Sequence, residues 1–355
     1  MKEKVLCDFG ERIRQLRKKN DLSQEQLAEK TGFHRTYIGM VERGERNPAL
    51  VNIKVFADSF DISLSVLFND KSFEKRLRVA KKNKLVMPFL KWVGGKRQLI
   101  TEIEPLLPSR ISTYYEPFLG GGAILLHMQP KKAVINDYNS ELINVYETIR
   151  DDVDALIEHL AIHENNSEYF YRIRALDRQE GFVELTKIER ASRVIYLNKT
   201  CFNGLYRVNS SGEFNTPFGR YKNPNIINET VLQAVSNYLQ NNDIVLRNGD
   251  FEEAVKGARK GSFVYLDPPY DPVSKSSNFT GYVQGGFGDD EQVRLRDTCI
   301  NLNKRGVNFL LSNSATAFMK ELYKDFEIIE VGASRSINSV GSKRGEVKEI
   351  LVRNY

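Results

Sequence analysis

The sequence predicts an α/β protein in which a doubly wound, Rossmann-like sheet follows a small all-α domain. The first 70 residues show the 3.6-residue spacing of apolar side chains that is typical of short helices. From about residue 85 onward, short apolar runs such as FVYL at 263–266 alternate with helical stretches, as in a parallel sheet. The stretch NGLYRVNSSGEFNTPFGRY interrupts this alternation and predicts a β-hairpin within an insert.

The composition is that of a chain of about two domains with an excess of positive charge. Of 355 residues, 41% are hydrophobic and 28% are charged, and the net charge of +6 favours a polyanionic partner. The sequence has no signal-peptide core and no apolar run that could span a bilayer, so we expect a cytoplasmic protein without a membrane partner. The scattered cysteines at positions 7, 201 and 299 predict neither disulfides nor a zinc site. His159 and His163 are expected on a solvated helix face, and no metal is expected.

Residues 1–70 predict a separate helical domain. Phe9, Ile13 and Leu16 share one helical face, and SQEQ at 23–26 is a capping box that starts a second helix. A third helix is expected from residue 34 to residue 43. The run LRKKNDLSQEQLAEKTGFHRTYIGMVERGERNPAL resembles the Cro/C1-type (XRE) helix-turn-helix DNA-binding domains. That resemblance implies that the third helix enters the major groove and that DNA contacts come from Gln24, Arg35 and Thr36.

A basic segment at residues 71–86 is expected to link this domain to the rest of the chain. KSFEKRLRVAKKNK, from residue 71 to residue 84, carries seven Lys or Arg residues and one Glu. Such charge either follows DNA phosphates or is simply solvated.

The most informative motif is DPPY at 267–270, which directly follows the FVYL run. A buried strand would deliver this motif to the carboxyl end of the sheet, where ligands bind in doubly wound folds. The Asp267 carboxylate and the Pro268 carbonyl can each accept a hydrogen bond from an exocyclic amine, which localises the nitrogen lone pair for attack on a methyl group. Pro269 helps to fix the turn, and Tyr270 offers a ring on which an extruded base can stack. The motif therefore indicates methyl transfer to an amino group, although the same residues could form an ordinary proline turn.

Two further regions predict a nucleotide-type ligand near DPPY. YYEPFLGGGA at 114–123 fits a strand, a glycine-rich turn and the start of a helix. AVIND at 133–137 is a short strand that ends in Asp137, the position from which a carboxylate accepts ribose hydroxyls in doubly wound folds. NGDF at 248–251 ends another strand. Asp250 and Phe251 could border an adenine ring, or Asp250 could cap a helix with Phe251 in the core.

Eight motifs from residue 91 onward occur in one order: KWVGGK at 91–96, EPFLGGGA at 116–123, IND at 135–137, NKTCFNGLYRVNSSGEFNTPFGRYK at 198–222, NGDF at 248–251, DPPY at 267–270, LLSNS at 310–314 and RSINSVGSKRGEVKEIL at 335–351. On these motifs the chain resembles the Dam-type (D12-class, alpha-group) adenine-N6 DNA methyltransferases. The resemblance implies an S-adenosylmethionine-dependent methyltransferase sheet built from residues 87–150 and 243–355. Residues 151–242 would then form a helical and β-hairpin insert for target recognition.

By the same resemblance, S-adenosylmethionine is the methyl donor, and no metal is required because its sulfonium is already an activated leaving group. The positions matched to the donor site are Trp92, Lys96, Phe118, Gly120, Gly122, Asp137, Asp250 and Phe251. The positions matched to the pocket for a flipped adenine are Asp267, Pro268, Pro269 and Tyr270. Catalysis would consist of alignment, desolvation and localisation of the lone pair.

The resemblance also assigns base contacts to the hairpin of the insert. Arg207 would read a guanine, and Pro217 would contact a thymine methyl group. Phe202 and Asn203 would lie near the gap left by the flipped base. Lys91 matches the position from which a lysine reads the outer guanine. These matches are closest to members that methylate GATC, so we expect GATC to be the target.

The helix-turn-helix domain leaves several functions open. The chain could be the modification enzyme of a bacterial or phage-encoded restriction-modification system, acting in the nucleoid on the site of a cognate endonuclease that it does not bind directly. Its N-terminal domain would then control the operon, or would only add phosphate contacts. Alternatively, the chain could be a transcriptional regulator with a vestigial methyltransferase domain, or the N-terminal domain could be a packing module. Methylation of cytosine N4 or of a protein glutamine fits less well, because those pockets usually carry Ser or Asn, respectively, where this chain has Asp267. Asp267 together with the Dam-like hairpin favours adenine in DNA over RNA.

Overall fold

The computed structural model describes residues 3–68, 82–92, 94, 96, 99–272, 286–334 and 346–355. It separates into two units, residues 1–82 and residues 83–355. Most of the predicted linker at 71–86 lies outside the described residues, so the proposed domain boundaries stay a prediction.

The first unit is helical throughout its described part. Its helices are α1 (Lys4–Lys19), α2 (Gln24–Thr31), α3 (Arg35–Glu42), α4 (Leu50–Ser59) and α5 (Leu64–Phe68). The predicted capping box is confirmed, because the Ser23 hydroxyl accepts the Gln26 N–H and the Gln26 side chain accepts the Ser23 N–H. Gly32 ends α2 with φ of 73°, a conformation that glycine adopts without strain. The predicted apolar face of α1 packs against Leu27, Ile38 and Phe56 in one small core.

The second unit is built on a seven-stranded sheet. The strands are β1 (Tyr114–Glu116), β2 (Lys132–Asp137), β3 (Asp243–Asn248), β4 (Phe263–Leu266), β5 (Asn308–Ser314), β6 (Glu327–Ser334) and β7 (Glu346–Arg353). Their order is β3-β2-β1-β4-β5-β7-β6; β7 runs antiparallel to β5 and β6, and the other neighbouring strands pair in parallel. The predicted Rossmann-like sheet is therefore confirmed.

Helices cover both faces of this sheet. Successive strand residues point to opposite sides, so one strand contributes side chains to the cores on both faces. The helices are α6 (Ile100–Ile103), α7 (Ala123–Met128), α8 (Ser140–Asp151), α9 (Val153–Ala161), α10 (Ser167–Arg174), α11 (Lys187–Thr200), α12 (Glu229–Gln240), α13 (Phe251–Val255), α14 (Asp289–Lys304) and α15 (Ala317–Leu322). Phe263 and Tyr265 of β4 join a core with residues of α7, α8, α11 and α12. Val264 and Leu266 join a second core with residues of α13, α14 and α15. The strand is fully buried for this reason, as its apolar sequence predicts.

The direction of strand order reverses between β1 and β4, which are hydrogen-bonded neighbours with Tyr114 opposite Phe263. In doubly wound sheets such a reversal opens a crevice at the carboxyl ends of the two strands. The glycine-rich turn follows β1, and DPPY follows β4. Both predicted ligand motifs consequently meet at this crevice.

The insert between β2 and β3 contains α9 to α12, short 3₁₀ turns and the predicted hairpin. The hairpin closes as expected around Ser210 and Gly212, since the Asn209 N–H donates to the Glu213 carbonyl at 2.9 Å. However, it contains only isolated bridges, Val208 with Phe214 and Cys201 with Phe218, in place of regular strands.

The expectation that His159 and His163 share a solvated helix face is wrong. Helix α9 ends at Ala161, before His163. The His163 ring stacks on Tyr196 at 4.4 Å and bonds the Tyr169 hydroxyl at 2.8 Å. Burial in this aromatic cluster lowers the pKa of His163 to about 4.

Candidate functional site

Asp267 lies at the crevice, immediately after β4. Its Oδ1 atom accepts hydrogen bonds from the Lys96 ammonium at 2.8 Å and from the Ser312 hydroxyl at 3.1 Å. The Asp267 side chain retains 20% exposure. Burial raises the pKa of Asp267 above its ordinary value, and the Lys96 charge opposes that rise. The carboxylate is therefore positioned through one oxygen, and its Oδ2 atom can accept a further donor without breaking either bond.

Lys96 is a buried cation, with a side chain that is 5% exposed. Besides Asp267, its Nζ bonds the Gly94 carbonyl at 2.7 Å and lies 4.5 Å from the centroid of the Tyr270 ring. The resemblance assigned Lys96 to the methyl donor. In the structure its ammonium lies between the two side chains assigned to the target adenine.

The DPPY turn is held by side chains that sequence reasoning did not single out. The Tyr270 hydroxyl donates to Glu349 Oε2 at 2.8 Å. The Gln292 amide donates to the Pro269 carbonyl at 2.9 Å. Asn313 Oδ1 accepts the Asp271 N–H at 3.0 Å, and its Nδ2 donates to Gln292 at 3.1 Å. Side chains from α14, β5 and β7 therefore fix the turn. Of these side chains, Asn313 belongs to the LLSNS motif that was noted in the sequence, together with Ser312.

The glycine-rich turn after β1 needs its glycines. Gly120 and Gly122 have φ of 49° and 63°. A Cβ atom on Gly120 would lie 2.8 Å from Cδ1 of Trp92, whose ring covers the turn. The Gly120 N–H donates to Asp137 Oδ2 at 2.9 Å, which ties the turn to the end of β2. Four of the positions assigned to the donor therefore lie together, namely Trp92, Gly120, Gly122 and Asp137.

Asp137 is the last residue of β2, and Asp250 immediately precedes α13. Asp137 Oδ1 accepts the Asn139 N–H at 2.9 Å, and burial raises its pKa. Asp250 caps α13 by accepting the Glu252 N–H at 2.9 Å, and it also forms an ion pair with Arg294. Asp250 therefore caps a helix, which is one of the two roles predicted for it from the sequence.

Aromatic rings gather beside these carboxylates. The Phe251 ring lies 5.3 Å from that of Phe118, and Phe287 contacts both at 6.0 Å and 5.7 Å. The Arg294 guanidinium lies 4.3 Å from the Phe251 centroid. The structure therefore brings Phe118 and Phe251 together, and it adds Phe287 and Arg294, which the sequence did not indicate.

Glu116, at the end of β1, is a buried carboxyl group that sequence reasoning also missed. Its Oε2 accepts the Tyr114 hydroxyl at 2.7 Å and the Leu125 N–H at 3.1 Å. Burial raises its pKa to about 8, with a further contribution from the charge of Asp267. The protonated form of Glu116 is therefore favoured up to a higher pH than that of an exposed carboxyl group.

The positions assigned to base contacts lie in the hairpin region and in the segment that follows residue 90. Phe202 is 54% exposed, and Asn203 and Pro217 are exposed as well. The Arg207 guanidinium is oriented by a 2.7 Å bond to Asn215. Lys91 is exposed, and its neighbour Trp92 stacks on Tyr206 of the hairpin at 4.9 Å. The hairpin and the glycine-rich turn are thereby in contact with the same tryptophan.

In the first unit, Arg35 and Thr36 are exposed at the start of α3. Arg35 pairs with Glu25 at 2.6 Å, and the Thr36 hydroxyl bonds His34 at 3.0 Å. Gln24 is half-buried, and its amide donates to Glu42 at 2.8 Å. Arg35 and Thr36 can meet a ligand directly, whereas Gln24 is also part of an internal network.

Within the part of the chain that the structure describes, no group of three or more His, Cys, Asp or Glu side chains is arranged to hold a metal ion. No helix among those residues combines the length and apolar character needed to cross a bilayer.

A Rossmann-like sheet with an acidic proline turn and a glycine-rich turn at its crevice is the arrangement expected of a methyltransferase. Residues 92–337 match the family model of the D12 class N6 adenine-specific DNA methyltransferases, and the chain belongs to this family. Residues 13–67 match a helix-turn-helix model. The protein is thus an adenine-specific DNA methyltransferase with an N-terminal DNA-binding domain of the XRE type, as both resemblances implied.

Curated relatives support this assignment. The chain is 48% identical over 282 residues to the Type II methyltransferase M1.LlaDCHI of Lactococcus lactis subsp. cremoris, covering 79% of this chain and 99% of that protein. It is 43% identical over 290 residues to the Type II methyltransferase M.MjaIII of Methanocaldococcus jannaschii, covering 76% and 99%. It is 35% identical over 270 residues to the DNA adenine methylase of Haemophilus influenzae, covering 74% and 92%.

Proposed function

We propose that this chain transfers a methyl group from S-adenosylmethionine to N6 of an adenine flipped out of a GATC site. The observation that carries the proposal is the position of Asp267 and Pro268 at the crevice where the glycine-rich turn also ends. In this role the chain is the modification enzyme of a restriction-modification system, and the nuclease acts on the same site.

The residues around the crevice fit the methyl donor. Trp92 and the turn of Gly120 form a tight cradle, since a Cβ atom on Gly120 would already contact the indole. Asp137 would accept ribose hydroxyls, and the half-buried Phe118 would offer an apolar face for an adenine ring beside the buried Phe251. Once bound, the donor supplies an activated methyl group on a sulfonium, so the protein needs only to align and desolvate it.

The target amine is expected at Asp267 and Pro268. Asp267 Oδ2 and the Pro268 carbonyl would each accept a hydrogen bond from one N6–H group of the adenine. These two hydrogen bonds would localise the nitrogen lone pair. The N–C bond would form as the C–S bond of the donor breaks with its electron pair left on sulfur, and the proton released from N6 would pass to the Asp267 carboxylate or to water. Tyr270, fixed by Glu349, stacks on the base, which is worth about 1–3 kcal/mol. The Lys96 ammonium favours the ionised form of Asp267 and so opposes the effect of burial.

Exposure in the hairpin region supports base reading within GATC. Phe202, Asn203 and Pro217 are exposed, and Arg207 is held by Asn215, as expected of a side chain that must approach a guanine with fixed geometry. The named relatives that are Type II methyltransferases support the restriction-modification context.

The first unit is proposed to contact DNA through Arg35 and Thr36 of α3. The double variant Arg35→Ala, Thr36→Ala changes only exposed side chains. If the unit controls transcription, the variant loses binding to an operator but methylates GATC normally. If the unit only adds phosphate contacts, affinity for every duplex falls, and the loss is largest at low salt.

The test of the proposed function is transfer of labelled methyl groups to two duplexes that differ only by GATC versus GTTC, with Asp267→Ala as the control. We expect label in GATC alone and none with the variant. Equal labelling of both duplexes would overturn the site assignment and leave the chemistry intact. An absence of transfer would return the transcriptional regulator with a vestigial catalytic domain to first place.

A further inference from the structure

Asn198, near the end of α11, joins two segments that are proposed to face the DNA. It is fully buried. Its Oδ1 accepts the Lys91 N–H at 2.9 Å, and its Nδ2 donates to the Lys91 carbonyl at 2.7 Å. The same Nδ2 donates to the Gly204 carbonyl at 3.1 Å. One amide therefore holds the Lys91 backbone as a neighbouring strand would, and ties it to the turn that presents Phe202 and Asn203.

The side chain of Lys91 is guided by its surroundings as well. A Cβ atom on Gly204 would lie 2.5 Å from Cδ and 2.7 Å from Cβ of Lys91, so the lysine stem lies directly over this glycine. The Lys91 ammonium lies 4.9 Å from the centroid of the Tyr221 ring. The stem and the charged end are thus each in contact with a separate part of the hairpin region.

The support of Lys91 is important because a lysine side chain by itself discriminates poorly between DNA bases. An ammonium on a flexible stem has three rotatable donors and can bond many acceptors, including phosphates and several base atoms. A lysine selects guanine only if its position relative to the base edge is fixed. The contacts with Asn198, Gly204 and Tyr221 supply that fixation.

We propose that Asn198 is a positioning residue for base discrimination, acting through Lys91 on one of the two G·C pairs of the target. The inference rests on the proposed function, in which Lys91 reads a guanine of GATC. Since Asn198 is fully buried, it acts on the DNA through Lys91 and the Gly204 turn. Its loss therefore lowers selectivity at one base pair more than it lowers the rate on GATC.

The experiment measures kcat/KM on GATC duplexes whose second strand is already methylated, so that one adenine remains available. Each G·C pair is replaced in turn by A·T. The wild-type protein must prefer GATC over both altered duplexes. A wild-type protein without this preference would contradict the proposed function and would not bear on the role of Asn198. For Asn198→Ser we expect the preference to fall about tenfold at one pair. That pair is the one affected by Lys91→Ala, and the preference at the other pair is retained.

Two further variants separate positioning from general damage. Asn144 on α8 is also buried and donates to the Lys187 carbonyl at 2.9 Å, so Asn144→Ser removes a comparable bond and should change all duplexes equally. In the double variant Lys91→Ala, Asn198→Ser, we expect no loss of preference beyond that of Lys91→Ala, because both changes act on one interaction.

Gly204→Ala tests the same idea with Asn198 intact. The added methyl group would displace the Lys91 stem, and the residue has φ of 64°, so the same pair-specific loss is expected. If Asn198→Ser does not fold, the base-pair preference of Gly204→Ala is the test of the proposal. An equal loss at both pairs, or an unchanged preference in the variants that fold, would overturn the proposal.

Discussion

Glu116 is predicted to make the second unit less stable as the pH rises. Its carboxyl group is 2% exposed, and burial raises its pKa from 4.5 to about 8. Between these values the folded protein holds a proton that the unfolded chain releases, so the free energy of unfolding falls by about 1.4 kcal/mol for each pH unit. The contribution is complete below pH 4.5 and is lost as the pH rises to about 8.

The variant Glu116→Gln removes this titration and keeps the local bonds. An amide oxygen can replace Oε2, which accepts both the Tyr114 hydroxyl and the Leu125 N–H. From pH 5.5 to pH 7.5, the stability of the wild-type protein relative to the variant should therefore fall by about 3 kcal/mol.

Urea unfolding followed by tryptophan fluorescence measures this difference. Trp92 is the single tryptophan of the chain, so the signal reports on the unit that contains Glu116. Glu327→Gln is the control: Arg353 lowers the pKa of this exposed carboxyl group, so its contribution has the opposite sign and is lost as the pH falls. Parallel pH profiles for the wild-type protein and Glu116→Gln would refute the reasoning.

Three further predictions concern the crevice. Ser312→Ala removes the hydroxyl bond to Asp267 and should lower kcat by about ten- to a hundredfold, since a bond to a charged group contributes about 1.5–3 kcal/mol, while KM for the methyl donor is retained. Gly120→Ala places a methyl group against Trp92 at a φ of 49° and should abolish donor binding in calorimetry. Lys96→Met removes the charge that opposes the raised pKa of Asp267, so the acid limb of the pH–rate profile should move to higher pH.

Each of these predictions has a control and a contrary outcome. Ser312→Thr keeps the hydroxyl group and should retain most activity; an unchanged kcat in Ser312→Ala would show that the bond does not position Asp267. Gly181→Ala adds a Cβ atom with nothing within 4 Å and should bind the donor normally. An acid limb that stays in place in Lys96→Met would mean that Asp267 ionisation does not govern the rate.

The parts of the fold that the sequence predicted are those set by local pattern. The four apolar residues Phe263–Leu266 form a buried strand because helices pack on both faces of the sheet. The capping box at Ser23 and the turn at Gly32 depend on neighbouring residues alone, and both are observed. The strand-like runs before DPPY and before the glycine-rich turn predicted that both motifs follow strands, and both do.

The parts that could not be predicted depend on contacts between residues distant in sequence. Nothing local indicates that the Lys96 ammonium bonds Asp267, or that Gln292 and Glu349 fix the DPPY turn. A polar residue in a buried strand, such as Ser312, looks unfavourable until its partner is known. His163 is half-buried and stacks on Tyr196, a contact between residues far apart in sequence.

The most direct test of the central claim is to identify the methylated nucleoside. A duplex with a single GATC site is incubated with the wild-type protein or with Asp267→Ala, digested and analysed by mass spectrometry. We expect N6-methyl-2′-deoxyadenosine from the wild-type protein and none from the variant. Methylation of another base, or equal methylation by Asp267→Ala, would contradict the assignment of the chemistry to this crevice.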